Sequence, residues 1–272
     1  MNARVPLRDL AHFRLLAPRV DQRTENISWI PVSFSELHLV CRYFPIVIRT
    51  AGEQPRLGVC LDDRLLARPT RDALGHWRVP YRPIALRCLP FESRGSSDNP
   101  LDDILIDPHS RYLSLVDGTP IIDETGRPAR FIAGLHQLLG LLKRSEETFA
   151  ALLDHYHIAD LLLPLAPDTV PADHTRFDII NFVRLSNLPT TALSAMARHS
   201  FHSVDVAMAC LFSLQNLKQE HLPKGPAASQ LFMQGARSHD PFLIDDLPIA
   251  LDDSELIPLD FYKTTFGHRS IS

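Results

Sequence analysis

Two kinds of apolar spacing divide the chain. Up to about residue 128, apolar residues come in short runs separated by prolines, glycines and acidic pairs. Pro45-Ile-Val-Ile-Arg49 and Leu57-Gly-Val-Cys-Leu61 are runs of strand length. Asp62-Asp63-Arg64 reads as a turn and Leu65-Leu66-Ala67 as a short return strand, so this region predicts a small antiparallel meander. Ile104-Leu-Ile106 and Tyr112-Leu-Ser-Leu-Val116 are further strand-like runs, followed by turn signals at Asp117-Gly118 and Thr125-Gly126. Residues 92–103 (ESRGSSDNPLDD) have little to bury and read as a mobile surface loop.

From about residue 129 the period changes. Leu135, Leu138, Leu139 and Leu142 fall at i, i+3, i+4 and i+7, and Phe149, Leu152, Leu153 and Tyr156 repeat that spacing. This predicts an amphipathic helix or helix pair to about Asp160, ended before Pro164. Residues 164–175 read as a proline-containing linker and Ile179 to Val183 as one more strand. A second helical region starts behind Pro189 and runs from about Thr190 to Leu217. Beyond Pro223 the chain is loop-like, with a last apolar run at Ile257–Phe261. The sum is an α+β protein: an N-terminal antiparallel sheet with two packed helical segments and an irregular C-terminal extension. Its parts are residues 1–128, 129–222 and an acidic 223–272, forming one compact unit or two subdomains that meet near residue 128.

Composition narrows the function classes. With 45% apolar residues and a net charge of -4, the chain is neither disordered nor strongly basic. Nucleic-acid binding needs a concentrated basic face, and none is written across the chain. No apolar stretch approaches the roughly 20 residues that span a bilayer. Residues 10–20 are broken by His12, Arg14 and Arg19, so no secretory signal is read and a cytoplasmic location is expected. Cys41, Cys60, Cys88 and Cys210 form no CxxC pair and read as buried thiols in a reducing compartment.

The usual catalytic motifs are missing. Neither GxGxxG nor GxxxxGK[ST] occurs, so NAD and ATP are not expected as cofactors. There is no GxSxG elbow and no cysteine in an activating neighbourhood. Two constellations remain. Trp77, Tyr81, Arg87 and Phe91 form a dense aromatic–basic block, which is either a recognition patch or a packed corner. His199, His202 and Asp205 lie at i, i+3 and i+6 of the predicted second helix, a spacing that brings donors for iron or zinc toward one point, or else forms a polar helix face. His155, His157 and Asp160 make a similar group near a helix end, while HExxH is absent.

Several segments taken together resemble one family. They are Tyr43-Phe-Pro-Ile-Val-Ile48, Gly75-His-Trp77, Tyr81-Arg-Pro83 continuing to Arg87-Cys-Leu-Pro-Phe91, Asp117-Gly118 with Pro120 to Gly126, the Glu147-Thr148 helix running into Leu161–Pro164, and Leu211-Phe-Ser-Leu-Gln-Asn-Leu217. Over residues 5–222 they are similar to the SapC-like proteins of bacteria; residues 223–272 have no counterpart there. The resemblance implies a non-enzymatic accessory or binding protein with a protein partner, serving an uptake or modification system. It implies no catalytic residues. The rival reading is a metal-dependent enzyme, an oxygenase or hydrolase of a peptide or small metabolite, with iron or zinc on His199, His202 and Asp205. A third is a homo-oligomeric scaffold.

Overall fold

A computed structural model describes residues 3–16, 27–50, 54–165, 177–199 and 202–222, with only the backbone of Arg198 and His199. In chain order the N-terminal part forms β1 (Val5–Pro6), β2 (Arg14–Leu15), β3 (Trp29–Pro31), α1 (Leu37–Tyr43), β4 (Ile46–Arg49) and β5 (Arg56–Cys60). There follow α2 (Ile84–Cys88), β6 (Glu92–Ser93), α3 (Pro100–Asp103), β7 (Ile104–Ile106), β8 (Leu113–Ser114) and β9 (Thr119–Pro120). The remainder is α4 (Arg130–Ile158), β10 (Leu162–Pro164), β11 (Phe177–Ile180), α5 (Phe182–Ser186), α6 (Thr190–His199) and α7 (His202–Ser213). The protein is α+β, with antiparallel sheets and several helices.

Among the described residues the main sheet has five antiparallel strands in the order β10-β11-β4-β5-β3. Both faces are covered, which explains why its central strands are apolar at nearly every position rather than alternating. On one face Ile46 and Ile48 pair with Val59 and Leu57 and pack with Phe149, Leu152, Leu153 and Tyr156 of α4 and with Val206 and Cys210 of α7. On the other, Trp29, Val47, Cys60, Phe177 and Ile179 meet Leu65, Leu66, Leu214 and Leu217. A third core gathers Leu7, Ile84, Cys88, Ile104 and Ile106 around Ile132, Leu135, Leu138 and Leu139, the first half of α4. The two leucine-rich repeats of spacing in α4 thus serve two different cores.

Several polar groups fix this arrangement. Tyr156 is fully buried and donates its hydroxyl hydrogen to the Ser203 carbonyl, tying α4 to α7. Ser145 stands midway along α4, returns its own hydrogen to the Leu141 carbonyl at 2.8 Å and accepts from the Phe34 amide at 2.8 Å. The Ser213 hydroxyl, at the end of α7, accepts from the Ile46 amide at 2.8 Å.

Four expectations need correction. Leu65–Ala67 is not a return strand: the Leu65 carbonyl accepts from the Lys218 amide and the Ala67 amide donates to the Asn216 carbonyl, so the C-terminal segment takes those backbone groups. The neighbour of β5 on that side is β3 instead. Residues 92–103 are anchored, because Asp103 is buried and accepts from Ser93 Oγ at 2.5 Å and the Ser96 amide at 3.1 Å, with His136 Nε2 at 3.3 Å. Burial alone would raise the Asp103 carboxyl, but the Ser93 hydroxyl, the Ser96 and Gly95 amides and His136 outweigh it and hold it below the usual carboxylate range. The strand expected at Ile179–Val183 is Phe177–Ile180, because the Asn181 side chain accepts from the Arg184 amide and starts α5. The second helical region is two helices, α6 and α7, rather than one. Most of the expected linker (residues 166–175 of 164–175) and the whole extension 223–272 lie outside the described residues.

The Trp29 indole lies directly over Gly58, where a Cβ would stand 2.2 Å from the Ile30 carbonyl oxygen and 2.4 Å from the indole ring. Backbone cannot yield that much within a paired strand, so Gly58→Ala should destabilise the fold by about 3 kcal/mol. Equilibrium urea unfolding checks this; a loss below about 1 kcal/mol would mean that Trp29 moves aside freely.

Candidate functional site

The most organised polar site begins four residues upstream of α1. Ser33 and Glu36 form a capping box, a spacing that lets a carboxylate reach back to the amide three residues before it. Glu36 is only 2% exposed. Its Oε1 accepts from the Ser33 amide at 3.0 Å, and its Oε2 accepts from the Tyr81 hydroxyl at 2.7 Å and the Ile84 amide at 2.8 Å. The Arg87 guanidinium, on α2, adds its positive charge to this group. One carboxylate therefore joins the turn before α1 to the start of α2.

The expected block assembles around this carboxylate in part. Trp77 is half-buried, rests 5.8 Å from the Phe44 ring, and donates its indole hydrogen to the Tyr81 carbonyl at 3.2 Å. Arg82 stands 5.7 Å over the Trp77 ring and Arg87 6.0 Å over the Tyr81 ring. Arg71 bridges to Trp77 through the backbone. The Nε atoms of Arg71 and Arg87 are buried without a hydrogen-bond acceptor among the described residues. Phe91 does not join this group: it packs against the separate core that holds Leu7 and Ile104, on the far side of α2. Glu36 was missed in the sequence, although its Ser-x-x-Glu spacing was there to find.

Burial sets the protonation of these groups. It pushes the Tyr81 hydroxyl up, with the Glu36 charge adding to it, so Tyr81 remains a donor. Burial also raises the four thiols. Cys60 and Cys88 are pushed to about 12, and Cys41 and Cys210 move the same way. All four are free and buried, so they are packing groups rather than poised nucleophiles.

The metal constellation is placed as follows. Asp205 is exposed on α7, and His202, at its first residue, meets the Phe34 ring edge-on at 4.5 Å. His199 ends α6, on a different helix, and its side chain lies outside the described residues. Among the described residues no three His, Cys, Asp or Glu side chains come close enough to hold a metal ion. No helix among them is long and apolar enough to cross a membrane.

A family model described as SapC matches residues 9–219. The chain belongs to the SapC family. The match takes in the sheet, the Glu36 site, α4 and α7, and stops three residues before the last described one. No curated protein and no solved structure matches the chain. The family assignment therefore rests on sequence, and the site chemistry of this SapC-family member has to be read from its own residues.

Burial raises the Glu36 carboxyl above its ordinary value, against the three donors and Arg87, which pull it down. A carboxyl raised in the folded state holds its proton more tightly there than in the unfolded chain. Its contribution to stability is then greatest below the unfolded value of about 4.3 and falls as pH rises through the folded value. Glu36→Gln has no such proton, and at either carboxamide orientation it sets an N–H2 against the Ser33 or Ile84 amide. It should cost about 1–3 kcal/mol, with the deficit larger near pH 4.5 than near pH 8. Urea unfolding of both proteins at the two pH values measures it, and a deficit that grows with pH would refute the raised carboxyl.

Proposed function

We infer that this SapC-family chain is a non-enzymatic binding protein that recognises an acidic protein surface through the Trp77 corner, in the service of an uptake or modification system. The observation that carries the reading is the make-up of that corner. Between Leu65 and Phe91 the chain places Arg68, Arg71, Arg78, Arg82 and Arg87 against one acid, Asp72, which is engaged by His76 at 3.2 Å. Arg82 stands over a half-buried indole whose orientation is fixed by its bond to the Tyr81 carbonyl and by the Phe44 ring. A rigid aromatic flanked by arginine is the composition in which interface energy concentrates. Arginine forks match carboxylates, so an acidic partner is the class that fits.

Glu36 has a supporting part. By fixing Tyr81 and the start of α2 it presets the backbone that carries Trp77, Arg82 and Arg87, which lowers the ordering cost of binding. Membership of the SapC family supports the accessory role.

A photo-crosslinking residue at position 78, in cells that natively express the chain, should give one discrete heteromeric adduct. Arg82→Glu should remove it while the variant keeps a single cooperative unfolding transition. An adduct unchanged by Arg82→Glu, no adduct, or an adduct of twice the chain's mass would each refute the reading, the last by identifying a second copy as the occupant.

A further inference from the structure

A second arginine–indole group lies across the main sheet. Arg49 of β4 and Arg56 of β5 are direct cross-strand partners. Like charges placed opposite one another destabilise a sheet unless something answers them. One acid does so: Glu146 of α4 meets Arg56 Nη2 at 2.5 Å. Among the described residues this leaves one positive charge in excess. Both guanidinium groups stand over the Trp29 indole, at 4.5 Å for Arg49 and 5.7 Å for Arg56.

Three N–H donors at this place have no acceptor among the described residues: Nε of Arg49, Nε of Arg56 and Nε1 of Trp29. The indole is the telling one. Trp29 is only 9% exposed and is held flat against Gly58, so its N–H has been taken from water without compensation. A buried donor left without an acceptor keeps its full cost of desolvation, and native chains seldom keep one without a use for it. The Arg56 side chain is 38% exposed, so solvent reaches its outer end, while the three N–H groups themselves are covered by the protein.

We propose that Arg49, Arg56 and the Trp29 indole N–H form a binding site for a carboxylate ligand. The ligand's charge cancels the one in excess, the guanidinium forks supply in-plane donors, and the indole gains its missing acceptor. The site is separate from the Trp77 corner: Trp29 belongs to the core behind the sheet, whereas Trp77 packs against the core on its other face.

The chain has two tryptophans, so its proton–nitrogen correlation spectrum holds two indole signals, and Trp77→Phe assigns them. Sodium acetate, titrated into the full chain at ionic strength held constant with chloride, should move the Trp29 indole proton downfield and saturably. Arg49→Gln should raise the midpoint about tenfold or more, the usual effect of losing a charged hydrogen-bond partner. Arg49→Lys keeps the charge and loses the fork; it should weaken binding as well, and it decides the matter if Arg49→Gln does not fold. The proposal is overturned by no saturable shift, by the same midpoint in the folded Arg49 variants, or by a shift with inorganic phosphate and none with acetate.

Discussion

The structure depends on one long helix that has to satisfy two cores at once. α4 spans 29 residues, about 43 Å at the usual rise. A straight helix presents a continuous apolar stripe, yet here the stripe is divided between Ile132–Leu139 and Phe149–Tyr156, which face different partners. The small N-terminal sheets and α3 close on the first half; the five-stranded sheet, α1 and α7 close on the second. Ser145 stands at the change-over, where its hydroxyl takes the Phe34 amide and so pins the turn before α1 to the middle of the helix. Two residues further along that turn is Glu36. The position of the buried carboxylate, and through it of Tyr81 and Arg87, is thus set by where α4 passes.

What was legible in the sequence follows from the range of the signals. Helical period marked α4 because its burial is one-sided and repeated over many turns. The runs at 46–49 and 57–61 marked β4 and β5 because both faces of those strands are covered. β3 escaped notice: three residues ending in a proline carry little local signal, and Trp29 finds its place only by lying over Gly58, far along the chain. Leu65-Leu66-Ala67 looked like a strand because its apolar residues are indeed buried; the C-terminal segment, and not a neighbouring strand, takes their backbone groups. Residues 92–103 looked mobile because a polar loop gives no hint that its last aspartate will be buried beside His136.

The candidate site was half legible. Trp77, Tyr81 and Arg87 stood out by residue type and do come together, whereas Phe91 is parted from them by α2, which turns its two faces to two cores. Glu36 went unnoticed because a capping box describes a local turn and says nothing of the tyrosine and amide, each more than forty residues away, that complete its coordination. Neither was the Trp29 group visible: the opposition of Arg49 and Arg56 exists only once the strand register is known.

The placement of the cysteines has a consequence for how this protein comes apart. Cys41 and Cys210 belong to the core between the sheet and α4, Cys88 to the core at the first half of α4, and Cys60 to the core behind the sheet. Each is a free thiol held unreactive by burial. A thiol reagent can modify such a group only when its own core opens, so the four modification rates act as separate clocks on three compartments. Equal rates would describe a molecule that opens as one cooperative body, and unequal rates would rank its cores by the free energy of their local opening.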